Sequence, residues 1–299
     1  MTRRAMIRRQ QGVGLVIVLW CLVLLSAIAV SYAFGVRTEV RGARNQVEQA
    51  QAAALAEAGV ARGLWELAAR PPRPGDSPRP GGSEVLATGE ADWQLASPAG
   101  RVDLNNATPE LLDRLLAEAV PEAGRRAALV AAIQDWRDPD SLRRQDGAED
   151  REYLADGTGH GAADRPFRHR AELLQVRGMS PAVYAGIAPH LTVHSRLSGV
   201  NPRHASPALL RLLGADPGVL EEFLALRTSE PDSPLLATIE VLPRGFSSAG
   251  DAARVLVRGR GVTAGGAEAR MEAVVRPGRG LREPPVVVGW RLLHAEADR

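Results

Sequence analysis

The chain lacks the residues and motifs that mark several common protein classes. Its 299 residues include one cysteine, Cys21, which excludes an intrachain disulfide and a cysteine-rich metal site. There is no Gly-x-Ser-x-Gly elbow, and the glycine-rich segment 157–161 lacks the lysine of a phosphate-binding loop. His190 and His194 are four residues apart, but Pro189 argues against the helix that a zinc-protease motif needs. These absences argue against the usual hydrolase and nucleotide-binding enzymes.

Neither sign of charge is in large excess. The formal net charge is +2, and no long acidic or basic run occurs. The composition therefore gives little indication of a polyanionic partner such as nucleic acid.

A long apolar run dominates the N-terminal part of the chain. Residues 12–36 carry no charge, and about 24 helical residues rise about 36 Å, enough to cross a hydrocarbon core of about 30 Å. The leader before the run is basic, with arginines at positions 3, 4, 8 and 9. This asymmetry predicts a cytoplasmic N-terminus with the rest of the chain across the membrane. A cleaved secretory signal peptide is the alternative, although its apolar region would be shorter, about 7–15 residues.

The apolar run should continue into a helix that ends near residue 69. Residues 39–67 are rich in Ala, Gln, Glu, Arg and Leu and contain no proline. Their helical spacing predicts a packed face that includes Val47, Leu55, Val60 and Leu64, and close packing at Ala50, Ala54, Ala58 and Ala61. The Pro- and Gly-rich residues 70–83 predict a linker.

A block of short helices is predicted for residues 101–230. Thr108-Pro109 and Ser206-Pro207 have the chemistry of helix N-caps followed by proline at the first helical position. The predicted helices cover residues 108–119, 124–136, 169–175, 180–187, 206–213 and 217–226. Residues 199–210 loosely repeat residues 102–112, which indicates a weak internal repeat.

Strand signals lie on both sides of this block. Residues 91–96, 253–260, 268–276 and 285–293 alternate apolar and polar side chains or are rich in valine. The expected fold class is therefore α+β, with a long N-terminal helix packed on a small antiparallel sheet and a large inserted helical domain. The expected divisions are a leader (1–12), a membrane-spanning part (13–36), a periplasmic helix (37–69), a linker (70–83), a body (84–100 and 231–299) and the insertion (101–230).

An acidic loop is the best candidate for metal binding. Its carboxylates are Asp135, Asp138, Asp140, Glu149 and Asp150. Calcium takes 6–8 oxygen ligands in irregular geometry and would suit such a loop, although no EF-hand spacing is present. The alternative is a solvated loop or an Asp–Arg network formed with Arg137, Arg143, Arg144 and Arg151.

The junction at Gln11-Gly12 resembles the class III leader of type IV pilins and type II secretion pseudopilins. The resemblance implies that a prepilin peptidase cuts after Gly12 and that Val13 becomes the N-methylated first residue of the mature chain. Most members carry glutamate at the fifth mature position, where this chain has Ile17. The K-type minor pseudopilin is the member that regularly lacks this glutamate.

Four further segments are similar to K-type minor pseudopilins. They are residues 102–107, the acidic loop 135–140 with 147–150, residues 172–179, and residues 199–205. The resemblance implies calcium at the acidic loop and a structural role without catalysis. It also implies a place at the pseudopilus tip with other minor pseudopilins, near the major pseudopilin. The expected location is the inner membrane, with a single span and a periplasmic C-terminal domain.

A membrane-anchored, DNA-binding helix-hairpin-helix protein for DNA uptake is the runner-up. Residues 105–112 resemble part of such a unit. The connection at residues 120–124, however, lacks paired glycines and carries Glu122 where backbone amides would meet phosphate. Nucleic acid is therefore not expected as a partner.

Overall fold

The N-terminal helix is the longest element of the protein. The computed structural model describes residues 11–71, 81–250 and 254–293. Helix α1 covers Gln11–Ala69, close to the predicted bounds, and 59 residues span about 90 Å. Its segment Gly14–Tyr32 has a mean hydropathy of 2.7, and none of it is buried by the rest of the chain. It is long and apolar enough to cross a membrane.

The second half of α1 packs on a sheet. Leu55 and Val60 are buried, as predicted, together with Ala52 and Ala56, whereas the prediction was wrong at Val47, which is exposed. The predicted alanine face was wrong at Ala50, Ala54 and Ala61, which are exposed, whereas Ala58 is half-buried. Contact with glycines of the sheet sets which face of the helix is buried. The spacing of the alanines alone could not show which helix face meets those glycines.

Seven strands form two sheets among the described residues. They are β1 (Gly82–Leu86), β2 (Gly89–Ala96), β3 (Val102–Asp103), β4 (Leu191–Thr192), β5 (Val255–Thr263), β6 (Glu268–Arg276) and β7 (Val286–Leu293). The main sheet has the order β1-β2-β5-β6-β7, and every neighbouring pair is antiparallel. Strands β3 and β4 form a small parallel pair. The expected α+β class is confirmed, and β1 adds a strand that begins inside the expected linker.

Close backbone contact joins α1 to the main sheet. A Cβ atom at Gly259 would lie 2.0 Å from the Ala56 carbonyl oxygen, and one at Gly261 would lie 2.2 Å from that of Ala52. Residues with side chains cannot reach this separation, so the glycines of β5 let the helix lie directly on the strand.

The inserted block contains six α-helices among the described residues. They are α2 (Pro109–Leu116), α3 (Ala123–Arg137), α4 (Asp150–Ala155), α5 (Pro181–Ile187), α6 (Pro207–Leu212) and α7 (Pro217–Ser229). Thr108 and Ser206 cap α2 and α6 as predicted, each hydroxyl accepting a backbone N–H at 3.2 Å. The predicted helix at residues 169–175 is the 3-10 helix Arg170–Gln175. Helix α4 was not predicted, and its first residue, Asp150, is the last residue of the predicted acidic loop.

The block has its own hydrophobic core, which includes Leu111, Ile133 and Phe223. Leu236 and Leu242 also belong to this core, although the sequence assigned residues from 231 onward to the sheet body. The insertion leaves the main sheet after Ala96 and returns before Leu256, and these two residues are register partners in β2 and β5. The block is therefore an insertion between two neighbouring strands.

Candidate functional site

The acidic loop lies between α3 and α4. Asp135 is in the last turn of α3, Asp138 and Asp140 follow that helix, Glu149 directly precedes α4, and Asp150 begins it. The two helix ends thus bring together residues that are up to 15 positions apart in the sequence. Within the described ranges, no three His, Cys, Asp or Glu side chains already form a group that could hold a metal.

Arg144 occupies one side of the loop. Its guanidinium donates to Asp135 Oδ1 at 2.7 Å and also to Asp138 Oδ2. Asp135 is fully buried and accepts the backbone N–H of Arg144 as well. Hydrogen bonds to both carboxylates raise the pKa of Arg144. This part of the loop therefore forms an Asp–Arg network with Asp135 as a structural member. Of the predicted arginines Arg144 joins it, whereas Arg137 donates to the backbone carbonyls of Leu104 and Ala107 and Arg143 pairs with Glu152.

Glu149 is the least satisfied carboxylate of the loop. Its side chain is only 5% exposed and faces the backbone N–H of Glu152 in a capping-box arrangement, but neither oxygen makes a regular hydrogen bond among the described residues. Burial, followed by the negative charges of Asp135, Asp164, Asp138 and Asp140, raises the pKa of Glu149 from 4.5 to about 7. Burying an ionised carboxylate without a hydrogen-bond donor or a cation costs free energy. A positive charge at this position would remove that cost.

Asp164 is a further carboxylate of this cluster that was not predicted from the sequence. Burial and the charges of Asp150, Asp138 and Asp140 raise the pKa of its carboxyl group. Its Oδ1 atom is buried and finds no donor in the part of the chain that the structure describes. Asp164 lies outside regular structure with φ of 48°, a backbone conformation that aspartate tolerates better than most residues. Only its place after the glycine-rich segment 157–161 could have suggested a turn toward the acidic loop.

The remaining two predicted residues hold the loop backbone. Asp140 is exposed, and its Oδ1 accepts the N–H of Leu142 at 2.9 Å. Asp150 Oδ1 accepts the N–H of Ala162 at 3.0 Å and so fixes the segment that leads to Asp164. Among the predicted set, Asp138 is the other residue with a buried oxygen, Oδ1, that lacks a donor within the described residues.

Aromatic side chains lie beside the loop. The Trp136 ring meets Tyr153 edge-on at 5.6 Å and is stacked on Phe167 at 6.3 Å. His160 contacts both Trp136 and Tyr153. Trp136 directly follows Asp135, so its fluorescence should report changes in the acidic loop.

The asparagine-containing segments have structural roles. Asn105 exchanges two hydrogen bonds with the backbone of Phe167, at 2.7 and 3.0 Å. Asn201 donates its backbone N–H to Ala99 O at 2.8 Å and its side-chain N–H to Gly250 O at 3.1 Å. The first contact holds the loop beyond Asp164 and the second holds the base of the insertion.

The expected processing site is described only in part. Gly12 and Val13 lie in the first turn of α1, whereas residues 1–10 of the leader are outside the described residues. Cleavage and methylation at this site stay predictions.

Comparisons with known proteins agree with this architecture. Residues 93–196 match the family Type II secretion system (T2SS), protein K. Type II secretion system protein K of Pseudomonas aeruginosa is 26% identical over 247 residues, which cover 75% of this chain and 74% of the relative. Protein K of Klebsiella pneumoniae is 33% identical over 82 residues, which cover 27% of this chain and 25% of the relative.

A solved structure shares the fold. A chain in the crystal structure of the GspK–GspI–GspJ complex from enterotoxigenic Escherichia coli superposes with a TM-score of 0.58 at 18% identity. The match covers 87% of this chain and all of that chain. None of these findings favours the DNA-binding alternative. The matched family model and both relatives confirm the predicted similarity to type II secretion system protein K, the K-type minor pseudopilin, and the solved structure confirms the fold.

Proposed function

We propose that this protein forms or caps the tip of the type II secretion pseudopilus, helps to start its assembly for protein export across the outer membrane, and catalyses no reaction. The inserted helical block carries the proposal. It leaves and re-enters the sheet at the paired residues Ala96 and Leu256, so a pilin-like body bears a second core. Such a bulky insertion would obstruct the addition of a subunit above it.

The partners follow from the same proposal. The related chain from E. coli was solved in complex with GspI and GspJ. The corresponding minor pseudopilins of this protein's own system would be its tip partners, with the major pseudopilin below them. Antibody-gold labelling of sheared pseudopili tests this arrangement, with the major pseudopilin labelled as a control along the whole filament. Label at one end supports the proposal, and label along the filament contradicts it.

The membrane arrangement is part of the proposal. The arginines of the leader would keep the N-terminus in the cytoplasm, and α1 would anchor the precursor in the inner membrane with the sheet and helical block in the periplasm. A prepilin peptidase would cut before Val13, which would then be N-methylated.

Mass spectrometry after co-expression with a prepilin peptidase tests the processing step. The mature chain should begin at Val13 and carry one added methyl group. Gly12→Val should block cleavage, whereas Gly14→Ala, whose added Cβ would meet no atom within 4 Å, should be cleaved normally. An intact leader on the native chain, or cleavage beyond the apolar run, would refute this part.

We also propose that the acidic loop binds calcium. Four buried carboxylate oxygens lack donors among the described residues, and they belong to Glu149, Asp138 and Asp164. Arg144 is already engaged with Asp135 and Asp138, so it leaves Glu149 and Asp164 without a counter-charge. Oxygen ligands of this kind fit a hard cation. These three residues would hold the ion, with Asp140 and Asp150 supporting the loop.

Bound calcium would supply the positive charge that this cluster lacks. Glu149 and Asp164 would then stay ionised at neutral pH, and the connection between α3 and α4 would be fixed. Calorimetry of the full chain in detergent micelles, with calcium and then magnesium, tests the proposal. Saturable calcium binding with a rise in melting temperature supports it. The absence of both effects contradicts it.

A further inference from the structure

A cavity of about 330 Å³ lies where the helical block meets the main sheet. Three arginines and two histidines line it, namely Arg101, Arg227, Arg258, His190 and His204, and none of the described lining residues is acidic. The acidic loop and the membrane helix contribute no residue to it.

The walls of the cavity are held in place before any ligand arrives. A Cβ atom at Gly100 would lie 2.0 Å from the His204 carbonyl oxygen, so the turn before Arg101 packs directly on the opposite wall. Arg227 holds that wall by donating to Pro202 O at 3.0 Å and to Ala205 O at 2.7 Å. A preformed pocket loses little conformational entropy on binding.

Most of the positive charge around the cavity is already paired. Arg258 contacts Glu272 at 2.8 Å, and Arg291 contacts the same buried carboxylate. Arg227 is bound by backbone carbonyls. Arg101 alone among the lining arginines makes no side-chain hydrogen bond or ion pair within the described ranges, and it is half-buried.

Arg101 nevertheless keeps its charge. Burial and the nearby charge of Arg258 lower its pKa to about 10, with Glu272 acting in the opposite direction. The guanidinium is therefore a partly desolvated cation at neutral pH. Burial also lowers the pKa of His190, so that ring is neutral there and adds no further charge.

We propose that this cavity binds a carboxylate group, which Arg101 holds through paired hydrogen bonds. The planar fork of a guanidinium matches the two oxygens of a carboxylate. One unpaired cation balances one negative charge, which favours a carboxylate over a doubly charged phosphate. The carboxylate could end a peptide segment or belong to a small organic acid. Carboxylate binding in this cavity does not depend on the position of the protein at the pseudopilus tip.

Titration calorimetry on the full chain in micelles tests the site. The probes are acetate, N-acetyl-Ala-Ala with a free carboxylate, the amide of that peptide, and inorganic phosphate. The native chain should bind at least one carboxylate saturably, phosphate more weakly, and the amide not at all. Tighter binding of the peptide than of acetate identifies a peptide segment as the source, and the reverse order identifies a small acid.

Three variants locate the binding. Arg101→Gln should weaken carboxylate binding by about 10-fold or more because a charge-assisted pair is lost. Arg101→Lys keeps the charge but not the fork and should give an intermediate loss. Arg211→Gln removes an exposed arginine on α6 and should leave binding unchanged.

Several results would overturn the proposal. They are an absence of saturable carboxylate binding below about 10 mM, equal binding of the amide, tighter binding of phosphate, or equal weakening by Arg211→Gln. The comparison of probes on the native chain is decisive even if Arg101→Gln does not fold.

Discussion

Replacing Glu149 by glutamine should stabilise the calcium-free protein. A folded-state pKa of about 7 against 4.5 means that the fold favours the protonated form of this side chain. A shift of this size corresponds to about 3 kcal/mol at pH 8, and partial relaxation of the loop would reduce it to about 1–3 kcal/mol. Glutamine is close in shape to protonated glutamate, and its amide N–H groups can donate to the nearby carboxylates.

The pH dependence has a definite sign. Because the folded-state pKa of Glu149 is raised, its contribution to stability is complete below about pH 4.5 and is lost as the pH rises through about 7. Glu149→Gln should remove this decline in the calcium-free protein. At pH 8 its melting temperature should exceed that of the native chain by about 5 °C, as followed by intrinsic tryptophan fluorescence.

With calcium bound, the native chain should become more stable than Glu149→Gln. The native chain should gain stability with calcium, whereas Glu149→Gln should gain much less because a ligand is missing. Glu152→Gln is a matched control, since it removes the same charge three residues away. The Glu149 N–H lowers the pKa of Glu152, so this change should not stabilise the calcium-free protein. A melting temperature for Glu149→Gln at or below the native value at pH 8 would refute the reasoning.

Three further predictions concern packing, capping and buried charge. Gly261→Ala places a methyl group against the Ala52 carbonyl and should lower the free energy of urea unfolding by about 1–3 kcal/mol, whereas Gly186→Ala, in open space, should not destabilise; equal effects would contradict the close helix–sheet contact. Thr108→Ala should lower the free energy of unfolding by about 1 kcal/mol in the same assay, whereas Thr108→Asp should keep the native value, because threonine and aspartate can both cap α2. An equal loss in Thr108→Asp would contradict the capping role. Burial alone would raise the pKa of Glu272, but Arg291 and Arg258 outweigh it and lower the pKa, so its contribution is present above about pH 4.5 and lost as the pH falls. Glu272→Gln should therefore lower stability at pH 7 by about 1.5–3 kcal/mol and by progressively less in acid, and a loss that is independent of pH would contradict this.

Local signals in the sequence were enough for much of the fold. The cap at Thr108 acts within one helical turn, and its chemistry is visible in four consecutive residues. The bounds of α1 follow from composition and from the prolines after residue 70. The strands β5, β6 and β7 show their alternation or valine content directly.

Elements that depend on distant contacts were missed or misplaced. Helix α4 has six residues, and its buried Tyr153 packs against the ring of Trp136 from α3. Strand β1 is mostly exposed and is held by pairing with β2, so its residues carry little apolar signal. The sequence of α4 does not show its contact with Trp136, and the sequence of β1 does not show its pairing with β2.

The candidate site divides in the same way. Clustered carboxylates at residues 135–150 were evident in the sequence, but the sequence could not show that Arg144 takes Asp135 while Glu149 has no donor among the described residues. Asp164 reaches the cluster through a backbone turn with positive φ and through the Asp150–Ala162 contact. Such positions are set by the tertiary structure and not by a motif.

The pairing of Ala96 with Leu256 has a consequence for how the protein is made. This contact closes a loop of about 160 residues, and the entropy of such a closure opposes early pairing of β2 with β5. During synthesis at about 5–20 residues per second, β2 waits about 10–30 s for its neighbour. The helical block can complete its own core in that interval and bring the two strand ends together. Folding of the insertion thus comes first, and the long helix gains its sheet only near the end of translation.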